Sequence, residues 1–375
     1  MRTEPTPLAA ILSERIRASG PITFAEYMDA CLYHPEHGYY AKSGQQPRRD
    51  YFTSVDVSPL FGRLLARQFH EMWIHLDRPE PFTLVEVGVG TGALAKQVLD
   101  LAAESLKDFY AALRYVAVER SAVRRVAQAA MLESHLANGR VIISADLPAQ
   151  IPCGCIFSNE LFDAMPAHRV TREHGELREL YVAAAGDGLH EQTGPLSTPA
   201  LSNYFAEQGI TLEDQQQAEA CLEACWWIEG VANKLGRGFV LTIDYGHPAL
   251  ELYNERHMRG TLLAYARHRA SEDYFRAPGE QDLTTHVNFT ALEIWGARGG
   301  MNRTGFTTQS NFLLALARRS EFEDLQSETM TEQQQARARL LFKTLIYPEG
   351  MGETFQVLVQ HKGIESPRLA GFDPL

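Results

Sequence analysis

A chain of 375 residues with 45% hydrophobic and 22% charged residues can bury the core of one large decorated domain or of two domains. Its formal net charge of −12, with no lysine- or arginine-rich stripe, argues against nucleic acid as the main partner, because phosphate neutralisation dominates such binding; a cationic target, such as an arginine-bearing segment, is tolerated. Five cysteines at irregular spacing do not make a disulfide framework, and no apolar run approaches the roughly 20 residues needed to cross a bilayer.

The opening Met1-Arg-Thr-Glu-Pro-Thr-Pro lacks a signal peptide's apolar region, and it is short and acid-containing for a transit peptide. A cytoplasmic location without membrane insertion is therefore expected. Leu8 to Ser19 has helical spacing and stops at Gly20-Pro21. Thr23 with Glu26 three residues on reads as a capping box for a second helix over Phe24 to Leu32. An aromatic, histidine-bearing turn follows, Cys31-Leu-Tyr-His-Pro-Glu-His-Gly-Tyr-Tyr40, then Arg49 to Gly62 and a helix to about His75. Gly62 inside that helix costs about 1 kcal/mol relative to alanine, which predicts a close approach at that point.

Thr83-Leu-Val-Glu86-Val-Gly88-Val-Gly90-Thr-Gly92-Ala-Leu94 reads as a buried strand, a glycine turn and the start of a helix. Glycines let backbone approach a ligand, and the helix start offers N–H groups. Gly88-x-Gly90-x-x-Ala93 fits the loose dinucleotide fingerprint, which is weak by itself. Gly88-x-Gly90-x-Gly92 preceded by Glu86 fits better the first motif of class I S-adenosylmethionine (SAM) methyltransferases. Glu86 can face the cofactor's α-ammonium, where it would repel a pyrophosphate. Tyr115-Val-Ala-Val-Glu119 and Val141-Ile-Ile-Ser-Ala-Asp146 are two further strands ending in acids, Glu119 suited to ribose hydroxyls and Asp146 to the adenine amino group.

Further strands are expected at Cys155–Asn159, Phe239–Asp244, about Asn302–Thr307 (followed by helix Asn311–Arg318) and Phe355–His361, the last antiparallel to its predecessor. Residues 168–212 read as a decorating hairpin, with Leu177–Val182 as a strand and Gly186-Asp-Gly188 as a turn. Gln215–Leu235 reads as one long helix, and Glu321–Leu345 as a solvated one. Residues 248–300 are too long for an unstructured connection. Cys153-Gly-Cys155 and Cys221/Cys225 read as small buried side chains rather than metal pairs, and no metal is expected.

Several blocks carry a family resemblance: Cys-Leu-x-x-Pro-Glu-x-Gly-Tyr-Tyr from Cys31, Asp-x-Phe-Thr-Ser-x-x-x-Ser-x-Leu-Phe-Gly from Asp50, Val-Glu-x-Gly-x-Gly-x-Gly from Val85, and Asn159-Glu160-Leu-Phe-Asp163-Ala-Met-Pro-Ala-His168. Ile243-Asp-Tyr-Gly-His247, Ala277-Pro-Gly-Glu-Gln-Asp-Leu-Thr284 and Met351-Gly-Glu-Thr-Phe355 continue it in order. The chain resembles the MidA-like family of SAM-dependent methyltransferases, relatives of a mitochondrial complex I assembly factor that acts as a protein arginine methyltransferase. Val89 and Thr91 stand where family members often have Pro and Arg. The resemblance implies an α/β fold, a Rossmann-like class I seven-stranded sheet over residues 76–375, with an N-terminal helical segment (1–75) and insertions at about 168–212 and 248–300 forming a cover.

In this fold the end of the fourth strand lies beside the transferred methyl. Glu160 and Asp163 there are expected to grip a cationic acceptor, since arginine–carboxylate pairs are bidentate, and Asn159 to hold cofactor or substrate. His168 is suited to accept the late proton. The other reading of this block is that Asp163 caps the following helix and Glu160 serves SAM alone. Tyr245 is suited equally to orienting the acceptor and to packing alone, and His247 and His286 are weaker catalytic candidates, a lone histidine being more often structural. Ser54, Asp56 and Gly62 are cofactor-side candidates from the family block. Three functions stay open: a protein arginine N-methyltransferase acting on a respiratory-complex-type protein, a small-molecule methyltransferase, and a SAM-binding assembly factor without turnover.

Overall fold

A computed structural model describes residues 5–42, 55, 58–186, 188–267, 269–326, 331–347 and 352–374. The chain forms two compact units, Phe52–Leu161 with Ile228–Tyr245 and Gly296–Leu375, and Met1–Tyr51 with Phe162–Trp227 and Gly246–Trp295. The boundary expected near residue 75 is not the one observed: helix Leu60–His75 belongs to the first of these, where its Phe69 ring lies 4.7 Å from Phe157. Its Gly62 meets Gln97 of helix Ala93–Ser105 so closely that a Cβ would collide with that side chain. The glycine is there for helix packing, with Gly62 N donating to Gln97 Oε1 at 3.1 Å.

The first unit is built on strands β1 (Phe82–Val87), β2 (Leu113–Val118), β3 (Val141–Ser144), β4 (Ile151–Asn159), β5 (Leu235–His247), β6 (Asn302–Thr308) and β7 (Phe355–Lys362). Their order is β6-β7-β5-β4-β1-β2-β3, with β7 antiparallel to both neighbours and the other pairs parallel. All six β1 residues are buried, as a central parallel strand requires. The sheet counts eight strands rather than the expected seven. The extra one is Val287–Asn288, which pairs with Gly246 and His247 at the end of β5, all within the second unit. From β1 the chain proceeds outward to β2 and β3, then returns to β4 on the other side. That reversal makes a crevice at the carboxyl ends of β1 and β4, where open α/β sheets bind ligands.

The second unit carries a five-stranded sheet, Ile22–Thr23, His168–Glu173, Glu176–Ala185, Gly188–Gly194 and Gln217–Ala220, all antiparallel. Helices Pro7–Ser19 and Phe24–Tyr33 bury Leu8, Leu12, Ile16, Phe24, Tyr27 and Met28 in its core. Both halves of the Thr23–Glu26 capping box are made. The hairpin turns at Gly186, whose φ is +57°. Residues 248–300 supply a three-stranded sheet, Leu263–Ala266, Arg269–Ser271 and Asp282–Thr284.

The long helix expected over 215–235 is shorter. Gln217–Ala220 is a strand, and only Leu222–Lys234 is helical. The cause is Arg169, buried in the neighbouring strand directly opposite Glu219. Its guanidinium reaches Glu219 Oε1 (3.2 Å), Gln217 Oε1 (2.9 Å), Tyr274 Oη (2.6 Å) and Glu191. A buried guanidinium needs its donors filled, and the two partners from this segment, Glu219 and Gln217, reach it when the segment joins the sheet. The helix expected over 321–345 is also divided, into Glu323–Gln326 and Glu332–Ile346.

Candidate active site

The loop leaving β1 turns on three glycines in the left-handed region, Gly88 (φ +77°), Gly90 (φ +59°) and Gly92 (φ +87°). A side chain at any of them is strained. A Cβ on Gly88 would also stand 3.0 Å from Leu161, and one on Gly92 3.3 Å from Gln128. Gly92 is the N-cap of helix Ala93–Ser105, so the loop delivers the positive end of a helix dipole to the crevice.

Glu86 is 3% exposed near the end of β1, and its Oε2 accepts from the Tyr115 hydroxyl at 2.5 Å. Burial pushes its carboxyl up to about 8, against the Tyr115 hydrogen bond and with help from Glu119. The fold thus favours the neutral acid, and a cation beside it would restore the carboxylate. Between the ordinary 4.5 and about 8, the folded chain holds a proton that the unfolded chain has lost. Stability from Glu86 is therefore complete below that window and declines as pH rises through it. Glu86→Gln should remove this dependence. Melting of the ligand-free proteins across the window should show wild type losing stability relative to the variant, and parallel curves would refute the assignment.

Glu119 follows β2 and is 8% exposed. Its Oε2 accepts from Gly90 N at 3.2 Å and its Oε1 from Ser121 N at 2.8 Å. Asp146 is exposed after β3, where Ser144 Oγ accepts from its N–H at 3.1 Å and donates to its carbonyl at 2.8 Å. Gln128 was not singled out from sequence. Its only local mark is that it is a lone uncharged polar side chain in the apolar stretch of helix Ala122–Met131, and it is the residue there that is buried. Its Nε2 donates to Gly90 O at 2.8 Å.

At the end of β4, Glu160 has φ +53°, uncommon for a residue with a side chain. Two bonds to β5 hold it there: Glu160 N donates to Ile243 O (3.0 Å), and Leu161 N to Asp244 Oδ2 (3.0 Å). Asp244 is fully buried, and its other oxygen takes Tyr245 N at 3.0 Å. Asn159 Nδ2 donates to Glu160 Oε1 at 3.0 Å, which fixes the amide's orientation and leaves Asn159 Oδ1 buried without a partner. Gln128 Oε1 is buried without a partner as well. Two unfilled buried acceptors, a left-handed glycine loop and a carboxylate after β2 suit a ligand rich in hydroxyl and amino donors. A nucleoside with an amino-acid tail has those groups.

Asp163 and His168 belong to the second unit. Asp163 is buried in a turn, its carbonyl accepting from Thr285 N at 3.0 Å; the chain then enters a strand, so it caps no helix. His168 Nδ1 lies 2.8 Å from Oε1 of buried Glu179. His247 and His286 form a cluster with His257, with ring centroids 5.4–6.3 Å apart. Burial, then the neighbouring rings, lower His286 to about 4, so it is neutral at physiological pH. Ser54 and Asp56 lie outside the described residues.

The large mixed sheet and this loop form a SAM methyltransferase-like α/β fold. Residues 64–307 match the family described as "Putative S-adenosyl-L-methionine-dependent methyltransferase", and the chain belongs to it. It is a SAM-dependent methyltransferase, with SAM as its cofactor. It is 28% identical to the Drosophila melanogaster protein arginine methyltransferase NDUFAF7 homolog, over 96% of this chain and 86% of that one. It is 27% identical to the human protein arginine methyltransferase NDUFAF7, over 97% and 86%. A Burkholderia thailandensis protein solved with S-adenosyl-homocysteine shares the fold at TM-score 0.87 and 29% identity, covering 99% of this chain and 98% of its own. These two NDUFAF7 relatives are mitochondrial proteins, which overturns the cytoplasmic location expected from sequence. Among the described residues, no helix is long and apolar enough to cross a membrane.

Proposed function

We propose that the chain is a protein arginine N-methyltransferase acting on a respiratory-complex-type protein. The observation that carries this reading is Glu160, a carboxylate held in a strained conformation at the end of β4, in a chain whose relatives are named protein arginine methyltransferases. The cofactor supplies an electrophilic methyl group on a sulfonium. The acceptor nitrogen needs a lone pair, and a guanidinium spreads its own over three nitrogens. A carboxylate paired with one edge localises the positive charge there and leaves the far nitrogen more nucleophilic. Glu160 is assigned that role. Asn159, whose amide N–H orients the Glu160 carboxylate, turns its open oxygen to a donor on the cofactor.

The test uses SAM labelled in its methyl group, incubated with the protein and an extract of cells lacking it. Label in a protein band that hydrolyses to methylated arginine is the expected result. Label confined to the small-molecule fraction would overturn the protein-substrate reading. Label on a protein residue other than arginine would overturn the assignment to guanidinium.

A further inference from the structure

Gly90 is gripped at both of its backbone groups. Its N–H donates to Glu119 Oε2 at 3.2 Å, and its carbonyl accepts from Gln128 Nε2 at 2.8 Å. Gln128 is 0% exposed, on a helix whose other residues are not buried. Its Cγ also occupies the space that a side chain at Gly92 would need, 3.3 Å from the ideal Cβ position. One side chain therefore bonds Gly90 and takes up space that a side chain at Gly92 would need.

The amide can only be oriented one way. A carbonyl oxygen accepts and never donates, so Nε2 must face Gly90 O and Oε1 must face away from it. That oxygen is buried and has no donor. A buried acceptor left open is costly, and such groups in folded proteins are filled by protein, water or ligand. The glycine loop that Nε2 grips is next to it, so a ligand seated in that loop would bring hydroxyl or amino donors beside this oxygen. Glu119, on the other side of Gly90, ends the second strand, where an acid faces ribose hydroxyls.

We infer that Gln128 positions the cofactor. Its amide nitrogen sets the conformation of Gly90, and its amide oxygen accepts a hydrogen bond from a ribose hydroxyl when the loop closes on the nucleoside. The two functions separate by substitution. Gln128→Met keeps the length and removes both hydrogen bonds. Gln128→Glu keeps an acceptor and loses the donor to Gly90.

The experiment measures S-adenosylhomocysteine binding by calorimetry, alongside its 2′-deoxy and 3′-deoxy analogues, with each variant's fold checked by circular dichroism. Wild type should bind one deoxy analogue about tenfold more weakly than the parent. Gln128→Met should bind the parent at least tenfold more weakly than wild type and discriminate against that analogue less than twofold. Gln128→Glu should lose affinity for parent and analogue by the same factor and keep the discrimination. Unchanged discrimination in Gln128→Met would overturn the ribose contact, because a purely structural side chain lowers every affinity equally. Should Gln128→Met fail to fold, loss of discrimination in Gln128→Glu would overturn it instead.

Discussion

Glu160→Gln is expected to leave S-adenosylhomocysteine affinity within about twofold and to lower methyl transfer by a factor of roughly 10² to 10⁴, the range of a positioned charged group acting in the transition state. Glutamine has the same shape, so it keeps the hydrogen-bonded contact to Asn159 and the backbone bonds to Ile243 and β5. What it loses is the negative charge. The backbone strain at φ +53° costs on the order of 1–3 kcal/mol and is retained in both proteins. The loss should therefore appear in kcat, measured with labelled SAM and a saturating acceptor, and not in cofactor binding. A variant that binds cofactor poorly and turns over normally once saturated would make Glu160 a cofactor ligand, and the guanidinium role would fall.

The second large effect lies far from any chemistry. Gly154→Ala should lower stability by about 3 kcal/mol or more, at the upper end for single substitutions. Gly154 on β4 pairs with Thr83 on β1 and with Gly238 on β5. A Cβ at Gly154 would fall inside the Thr83 carbonyl, and one at Gly238 inside the Gly154 carbonyl. Both obstacles are backbone atoms at the middle of the sheet, which no rotamer change relieves. Either β1 shifts against β4 or the pairing breaks, and β1 carries the glycine loop. Cys153→Ala, one residue away and only partly buried, should stay within about 1 kcal/mol. Urea unfolding of the three proteins would decide it: equal midpoints for wild type and Gly154→Ala would mean that the strands have room to part.

The Gly154 case also marks the reach of sequence reasoning. Cys153-Gly-Cys155 drew attention for its thiols, and the structurally demanding residue is the glycine between them. Nothing local to those three residues says that two other strands approach there. Gln128 is similar: its helix was unremarkable in sequence, and its importance comes from Gly90, 38 residues away. Glu86 was legible as a loop-proximal acid, while its raised pKa depends on burial from all sides, which outweighs the opposing hydrogen bond from Tyr115 on the next strand.

Sequence alone determined what depends on neighbours within a few residues. The β-branched run before Gly88, the strand that Glu119 follows, the strand ending in Asn159, and the Thr23–Glu26 box each follow from short-range dihedral and hydrogen-bond preferences. The order of motifs pointed to the methyltransferase family before any coordinates. Tertiary structure decided the rest. It made Gln217–Ala220 a strand, because buried Arg169 needed Glu219 opposite it. It placed Gly62 against Gln97, and it left the oxygens of Asn159 and Gln128 open. Each of these turns on the desolvation of a polar group or on a steric limit between segments distant in the chain, and neither quantity exists until those segments meet.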